Sequence, residues 1–187
     1  MNLIFLGPPG AGKGTQAKRL EKNLRIKHLS TGDMLRRTIS SASNIGHEIK
    51  AVIDAGNLVS DNIIMQMISE RIDDPDCSKG FILDGFPRNI AQADALEHLL
   101  SQKSLRIDHL IEFCVDKEQM IKRICKRATE ESRSDDNEDT IRKRMDVYHQ
   151  QTSSILQYYQ DRVVLNVIDG MKPINDVADQ IEKILAV

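Results

Sequence analysis

The chain has 187 residues, 40% of them hydrophobic and 29% charged, which suits one globular domain with a substantial core. Its 26 basic and 28 acidic residues leave a net charge of −2 with no basic run, which argues against nucleic acid and membrane surfaces as partners. No stretch approaches the length of a membrane span, and strand-forming residues begin at Asn2, leaving no room for a signal or transit peptide. Cys77, Cys114 and Cys125 are odd in number and unevenly spaced, which fits free thiols in a reducing cytoplasm and not a disulfide frame or zinc site.

The first predicted strand, 2–6, carries the apolar run Leu3-Ile4-Phe5-Leu6 and empties into Gly7-Pro8-Pro9-Gly10-Ala11-Gly12-Lys13-Gly14-Thr15. A glycine-rich turn between a strand and a helix lets successive backbone N–H groups converge on one anion, and Lys13 adds a positive charge at the β/γ-phosphate end. The helix from Thr15 to about Leu24 presents its positive N-terminus to the same phosphates. Gly10, Ala11, Gly12, Lys13, Gly14 and Thr15 are therefore expected to cradle a nucleoside triphosphate. The residue after Lys13 is Gly14, with the hydroxyl one position later at Thr15. The usual magnesium-holding Ser/Thr is displaced, which points away from GTPases and motor ATPases and towards small kinases.

Further strand-like runs follow around 27–29, 81–83, 109–115 and 163–168, with helical patterns between them. Such alternation implies an α/β fold, a parallel sheet covered by helices on both faces. Residues 30–59 read as a polar helical insertion, and 128–138 as an exposed flap with no apolar residue beyond Ala128. Ile141, Met145, Tyr148, Ile155 and Tyr159 share one side of a helix around 138–160. In the last helix Pro173 suits the first turn, and Ile174, Val177, Ala178, Ile181, Ile184 and Leu185 form one apolar stripe.

The strand exits carry the chemistry: the glycine loop, then Ser30-Thr31-Gly32-Asp33, then Asp84-Gly85-Phe86-Pro87-Arg88, and finally Asp169-Gly170. In open α/β sheets ligands bind beyond the carboxyl ends of the strands, so these segments are expected to meet in one cleft. Asp84 ends an apolar run, the place for a carboxylate that holds magnesium or its waters, although capping or a salt bridge would use it equally well. Asp33 either joins that water shell or only caps a helix. Arg123 and Arg127, at i and i+4, share a helix face where like charges cost about 0.2–0.5 kcal/mol unless an anion sits between them. By spacing alone they also fit two solvated surface arginines, and Arg36 taken alone reads the same way. The five histidines form no ligand set, and His28 and His109, flanking strand patterns, read as structural.

The motifs GPPGAGKGT at 7–15, LSTGDMLR at 29–36, GFILDGFPR at 80–88, SRSDDNE at 132–138 and VIDGMKP at 167–173 together give the chain a family resemblance. Over essentially its whole length it resembles adenylate kinases. The resemblance implies a P-loop core with a five-stranded parallel sheet (1–29, 60–126 and 139–187), a small monophosphate-binding insertion (30–59) and a short lid (127–138). It also implies the reaction ATP + AMP ⇌ 2 ADP with Mg²⁺ on the triphosphate, and a cytoplasmic monomer serving adenine nucleotide balance. The lid contains neither cysteine nor histidine, so no zinc is expected.

Carried onto this sequence, the resemblance places Arg123, Arg127 and backbone groups around Lys172 at ATP. Thr31, Arg36, Asn57, Leu58, Val59, Ile64, Gly85, Phe86, Pro87, Arg88, Gln92, Arg133 and Arg144 fall at AMP. Lys13, Arg88, Arg123, Arg133 and Arg144 fall on the phosphates in flight, and Asp135 and Asp136 orient lid arginines. Thr31 and Gln92 read the base, although a glutamine amide that can flip does not by itself reject guanine. Three positions depart from the family pattern. Ser132 stands where glycine is common, Asn89 replaces the usual threonine as in uridylate–cytidylate kinases, and Ser154 stands where proline is common. Two other readings remain: a kinase for another monophosphate such as UMP or CMP, and a nucleotide-sensing module without transfer.

Overall fold

The computed structural model describes residues 1–41, 44–55, 57, 59–116, 120, 123–124, 138–152 and 154–186. Most of the expected lid, with Arg127, Arg133, Asp135 and Asp136, lies outside these residues, as does Leu58.

Five strands, β1 (Leu3–Leu6), β2 (Lys27–Ser30), β3 (Phe81–Asp84), β4 (His109–Cys114) and β5 (Val164–Asp169), form one parallel sheet in the order β2-β3-β1-β4-β5. Alternate residues of each strand serve opposite faces, which explains why the central strands read as continuous apolar runs. Leu3 and Phe5 join Ile82, Ile111, Phe113 and Ile168 on one face, against α1 (Lys13–Leu24) and the C-terminal helix α8 (Ile174–Leu185). Ile4 and Leu6 join Leu29, Phe81, Leu83 and Leu110 on the other. That face carries α2 (Thr31–Ser40), α3 (Asn44–Asp54), α4 (Asp61–Ile72), α5 (Ile90–Gln102) and α7 (Ser154–Tyr159). A smaller cluster of Met120, Ile124, Ile141 and Met145 packs α6 (Glu138–Val147) against the chain leaving β4.

The strands fall within a residue or two of the positions read from sequence, and the helices differ in instructive ways. The helix after the glycine loop already includes Lys13 and Gly14. The pattern at 138–160 is divided by a π-helical turn, Tyr148–Thr152, so Ile141, Met145, Ile155 and Tyr159 are buried while Tyr148 is only half covered. Pro173 precedes α8 as its N-cap instead of lying in its first turn. Ile174 is 59% exposed and lines the cleft described below, where the helix begins beyond the sheet. The 30–59 insertion is less polar in effect than in composition, because Leu35, Ile49 and Val59 are buried with Ile64 and Ile68 of α4.

Candidate active site

The parallel register brings the strand exits level. Phe5 pairs with Asp84, and Ser30 pairs with Asp84 from the other side, so the segments after β1, β2 and β3 leave the sheet together. They border a cleft of about 1100 Å³ that runs from Lys172, Arg123 and Ile174 past the glycine loop to Asn57, Val59, Ile64 and Gln92. This exceeds the ~300–1,000 Å³ usual for one small-molecule site. Gly10 to Thr15, Thr31, Asp33, Arg36, Asp84 to Arg88 and Arg144 all line it too.

In the glycine loop the ammonium of Lys13 donates to the carbonyls of Gly7 (2.7 Å) and Pro8 (3.0 Å), bracing the turn from inside. Gly12 is the residue before α1, and nothing caps the helix from its side chain, so the first N–H groups of α1 point into the loop. At the β5 exit the Arg123 guanidinium donates to the carbonyls of Gly170 (2.7 Å) and Met171 (3.2 Å). Its side chain thus joins the loop that carries Lys172 to the segment that follows β4.

Asp84 sits where β3 ends, almost buried, with its Oδ2 3.1 Å from Nε2 of His28 on β2. Burial pushes its pKa up, but the His28 hydrogen bond and the charges of Lys13 and Arg88 outweigh this and hold the carboxyl below its ordinary value. A Cβ on Gly14 would lie 3.4 Å from the same Oδ2, so the missing side chain keeps space in front of the carboxylate. Among the described residues no group of three or more His, Cys, Asp or Glu side chains could hold a metal unaided. One carboxylate beside a glycine-rich loop nevertheless fits Mg²⁺ on a nucleotide, an ion that keeps several waters and takes only one or two protein carboxylates with the phosphates. Asp33 lines the same cleft, its Oδ1 2.5 Å from Nη2 of Arg36.

At the far end, Thr31 is 3% exposed and its hydroxyl donates to the Gly85 carbonyl (3.1 Å). Arg88 Nε also donates to the Gly85 carbonyl (2.7 Å), and Thr152 donates to the Arg88 carbonyl (2.9 Å). Gln92 is 2% exposed, with its amide engaged at both ends: Oε1 accepts from the Arg88 backbone N–H (2.7 Å), and Nε2 donates to Oδ1 of Asp61 (2.6 Å). His28, which reads as structural from its place beside a strand, acts here by holding Asp84, a role that no sequence signal announces. Asp61, the partner of Gln92, carries no motif signal either.

Comparison with known proteins follows the same line. A family model described as adenylate kinase matches residues 5–164. The adenylate kinase of Brucella ovis (strain ATCC 25840 / 63/290 / NCTC 10512) is 51% identical over 191 residues, covering 99% of this chain and 98% of that protein. The adenylate kinase of Brucella abortus (strain S19) is 50% identical with the same coverage. Agreement at this level along nearly the full length of both chains means that the chain belongs to the adenylate kinase family.

Proposed function

We propose that the protein is an adenylate kinase that transfers the terminal phosphoryl group of ATP to AMP, reversibly, giving two ADP. The observation that carries this reading is the single cleft of about 1100 Å³, continuous from Lys172 to Gln92 and lined by cationic side chains along its length. Transfer between two bound nucleotides needs in-line alignment, charge neutralisation and exclusion of water more than covalent help. The backbone of Gly10 to Thr15 and the Lys13 ammonium hold the donor triphosphate, and the loop around Lys172 with Arg123 receives its adenine end. Arg36 and Arg88 hold the acceptor phosphate, while Thr31, Asn57, Val59, Ile64, Phe86 and Gln92 enclose its base. Arg144, with Arg133 of the lid, neutralises charge that develops on the group in transit.

Mg²⁺ would be held by the triphosphate and by water bound to Asp84, with Asp33 beside it, and when bound it neutralises phosphate charge. The low pKa of Asp84 keeps the carboxylate ionised for that role. The partners are ATP, AMP and ADP. The form proposed is a cytoplasmic monomer; Cys77 and Cys114 are free thiols, as a reducing compartment leaves them.

The test is ADP formation from ATP and AMP, with and without magnesium, beside a panel of UMP, CMP and GMP. ADP formation that needs both AMP and magnesium supports the proposal. Faster turnover with a pyrimidine monophosphate would replace it.

A further inference from the structure

A glutamine amide reads a base by presenting one donor and one acceptor, and it reads the opposite pattern as soon as it turns over. At the acceptor end of this cleft it is not free to turn. The Arg88 backbone N–H can only donate and faces one end of the Gln92 amide at 2.7 Å; the Asp61 carboxylate can only accept and faces the other at 2.6 Å. Reversal would set the amide NH₂ against an N–H and the amide oxygen against a carboxylate. Asp61 is itself fixed: it opens α4, whose N-terminal turn favours a carboxylate, and Asn89 Nδ2 lies 3.5 Å from its Oδ2. Asn89 meanwhile caps α5 by accepting from the Gln92 N–H at 2.8 Å. A threonine could supply that cap, but it has no amide to turn towards Asp61.

We propose that Asp61 is a specificity-determining positioning residue, which with the Arg88 N–H locks the Gln92 amide so that the acceptor site takes 6-aminopurine monophosphates and refuses 6-oxopurine ones. This rests on the reading of that end of the cleft as the monophosphate site. After its two protein contacts the amide keeps one N–H and one lone pair, and Gln92 lines the cleft. Adenine offers a donor at N6 and an acceptor at N1, which match the locked amide. Hypoxanthine offers an acceptor at O6 and a donor at N1, so IMP reverses both contacts without the bulk of the guanine 2-amino group. A site whose buried polar groups are left unpaired discriminates strongly, whereas an amide that could flip would not.

The experiment measures kcat/KM for AMP and for IMP, with ATP as donor, in the wild type, Asp61→Asn, Asp61→Ser and Gln92→Ala. Asparagine and serine can each donate or accept, so they release the lock; asparagine keeps the shape and serine covers the case in which it fails to fold. The AMP/IMP ratio is expected to fall about tenfold, equivalent to about 1.4 kcal/mol, with AMP worsening and IMP improving. A purely structural Asp61 would lower the melting temperature and depress both substrates alike. An unchanged ratio in folded Asp61 variants, with Gln92→Ala still weakening AMP, overturns the lock. An AMP KM untouched by Gln92→Ala overturns instead the assignment of this end of the cleft to the base, and the lock with it.

Discussion

Alanine at Gly10 and at Gly12 separates backbone strain from packing within a single loop. Both residues have positive φ, +79° and +89°, so both substitutions force an L side chain into the left-handed region. That costs roughly 1–2 kcal/mol in either place. The surroundings differ. A Cβ on Gly12 meets nothing within 4 Å, whereas one on Gly10 would lie 2.6 Å from Cγ1 of Ile124 and 3.0 Å from both Ile124 Cδ1 and Met120 Cγ. Ile124 and Met120 are fully buried and packed with Ile141 and Met145, so they have little space into which to retreat. Overpacking of this kind adds ~1–3 kcal/mol. Gly12→Ala should therefore destabilise by about 1–2 kcal/mol and Gly10→Ala by about 2–5 kcal/mol. For a chain of this size each kcal/mol moves Tm by about 2–4 °C, so Gly10→Ala should melt roughly 2–12 °C below Gly12→Ala. Calorimetric melts of the two proteins, without nucleotide, read the gap. Equal melting temperatures, or a lower one for Gly12→Ala, would mean that Ile124 is not wedged against the loop and would refute the reasoning.

Lys13→Met should lower kcat by about 10²-fold or more if, as proposed, the ammonium meets the donor phosphates. Its Tm should fall by only a few degrees for the loss of two carbonyl contacts, and a variant with near-normal turnover would count against the cradle. His28→Ala removes a hydrogen bond to an ionised carboxylate, worth ~1.5–3 kcal/mol at pH 7. Asp84 has a lowered pKa in the fold, so its contribution is full above the unfolded carboxylate value, 3.8, and is lost as pH falls through the lower folded value. Melts from pH 7 to pH 2 should therefore show the gap between wild type and His28→Ala narrowing below about pH 4; a gap that stays constant would assign the loss to packing alone. Arg144→Ala should depress kcat by about 10²-fold with little change in ATP affinity, and calorimetric titration showing parallel loss of ATP binding would move Arg144 to ground-state donor binding.

The sheet and the glycine loop were legible in the sequence because their signals are local. Strands buried on both faces give unbroken apolar runs, and a phosphate loop keeps its turn residues within nine positions of one another. The contacts that orient the site side chains are of another kind. His28 meets Asp84 across 56 residues and Gln92 meets Asp61 across 31, and no periodicity announces either pair. Ile174 misled in the opposite direction. It continues the stripe of Val177, Ala178 and Ile181 by spacing, but it stands where α8 starts, at the cleft and away from the core. Within residues 30–59, Leu35 and Ile39, then Ile49, Val52 and Ile53, recur at helical spacing and pack into the cluster that holds Ile64 and Ile68 of α4, so the segment reads as more polar than it packs.

The displaced hydroxyl after Lys13 becomes intelligible through the strand register. Because Phe5 pairs with Asp84, the carboxylate leaves β3 level with the start of the glycine loop. Its Oδ2 comes within 3.4 Å of where a Cβ at position 14 would stand. A serine or threonine at that position would set its Cβ in van der Waals contact with the carboxylate and bring further side-chain atoms to the space beside it. Glycine leaves that space to water or a cation, and Thr15 is turned outward to the cleft margin. His28 then approaches Asp84 from the other side, because β2 pairs with β3 in the register Ser30 to Asp84 and His28 to Ile82. The residue type at position 14, the pairing of β1 with β3 and the hydrogen bond from β2 are one arrangement. Changing Gly14 alone would therefore be felt at Asp84, 70 residues away in the chain.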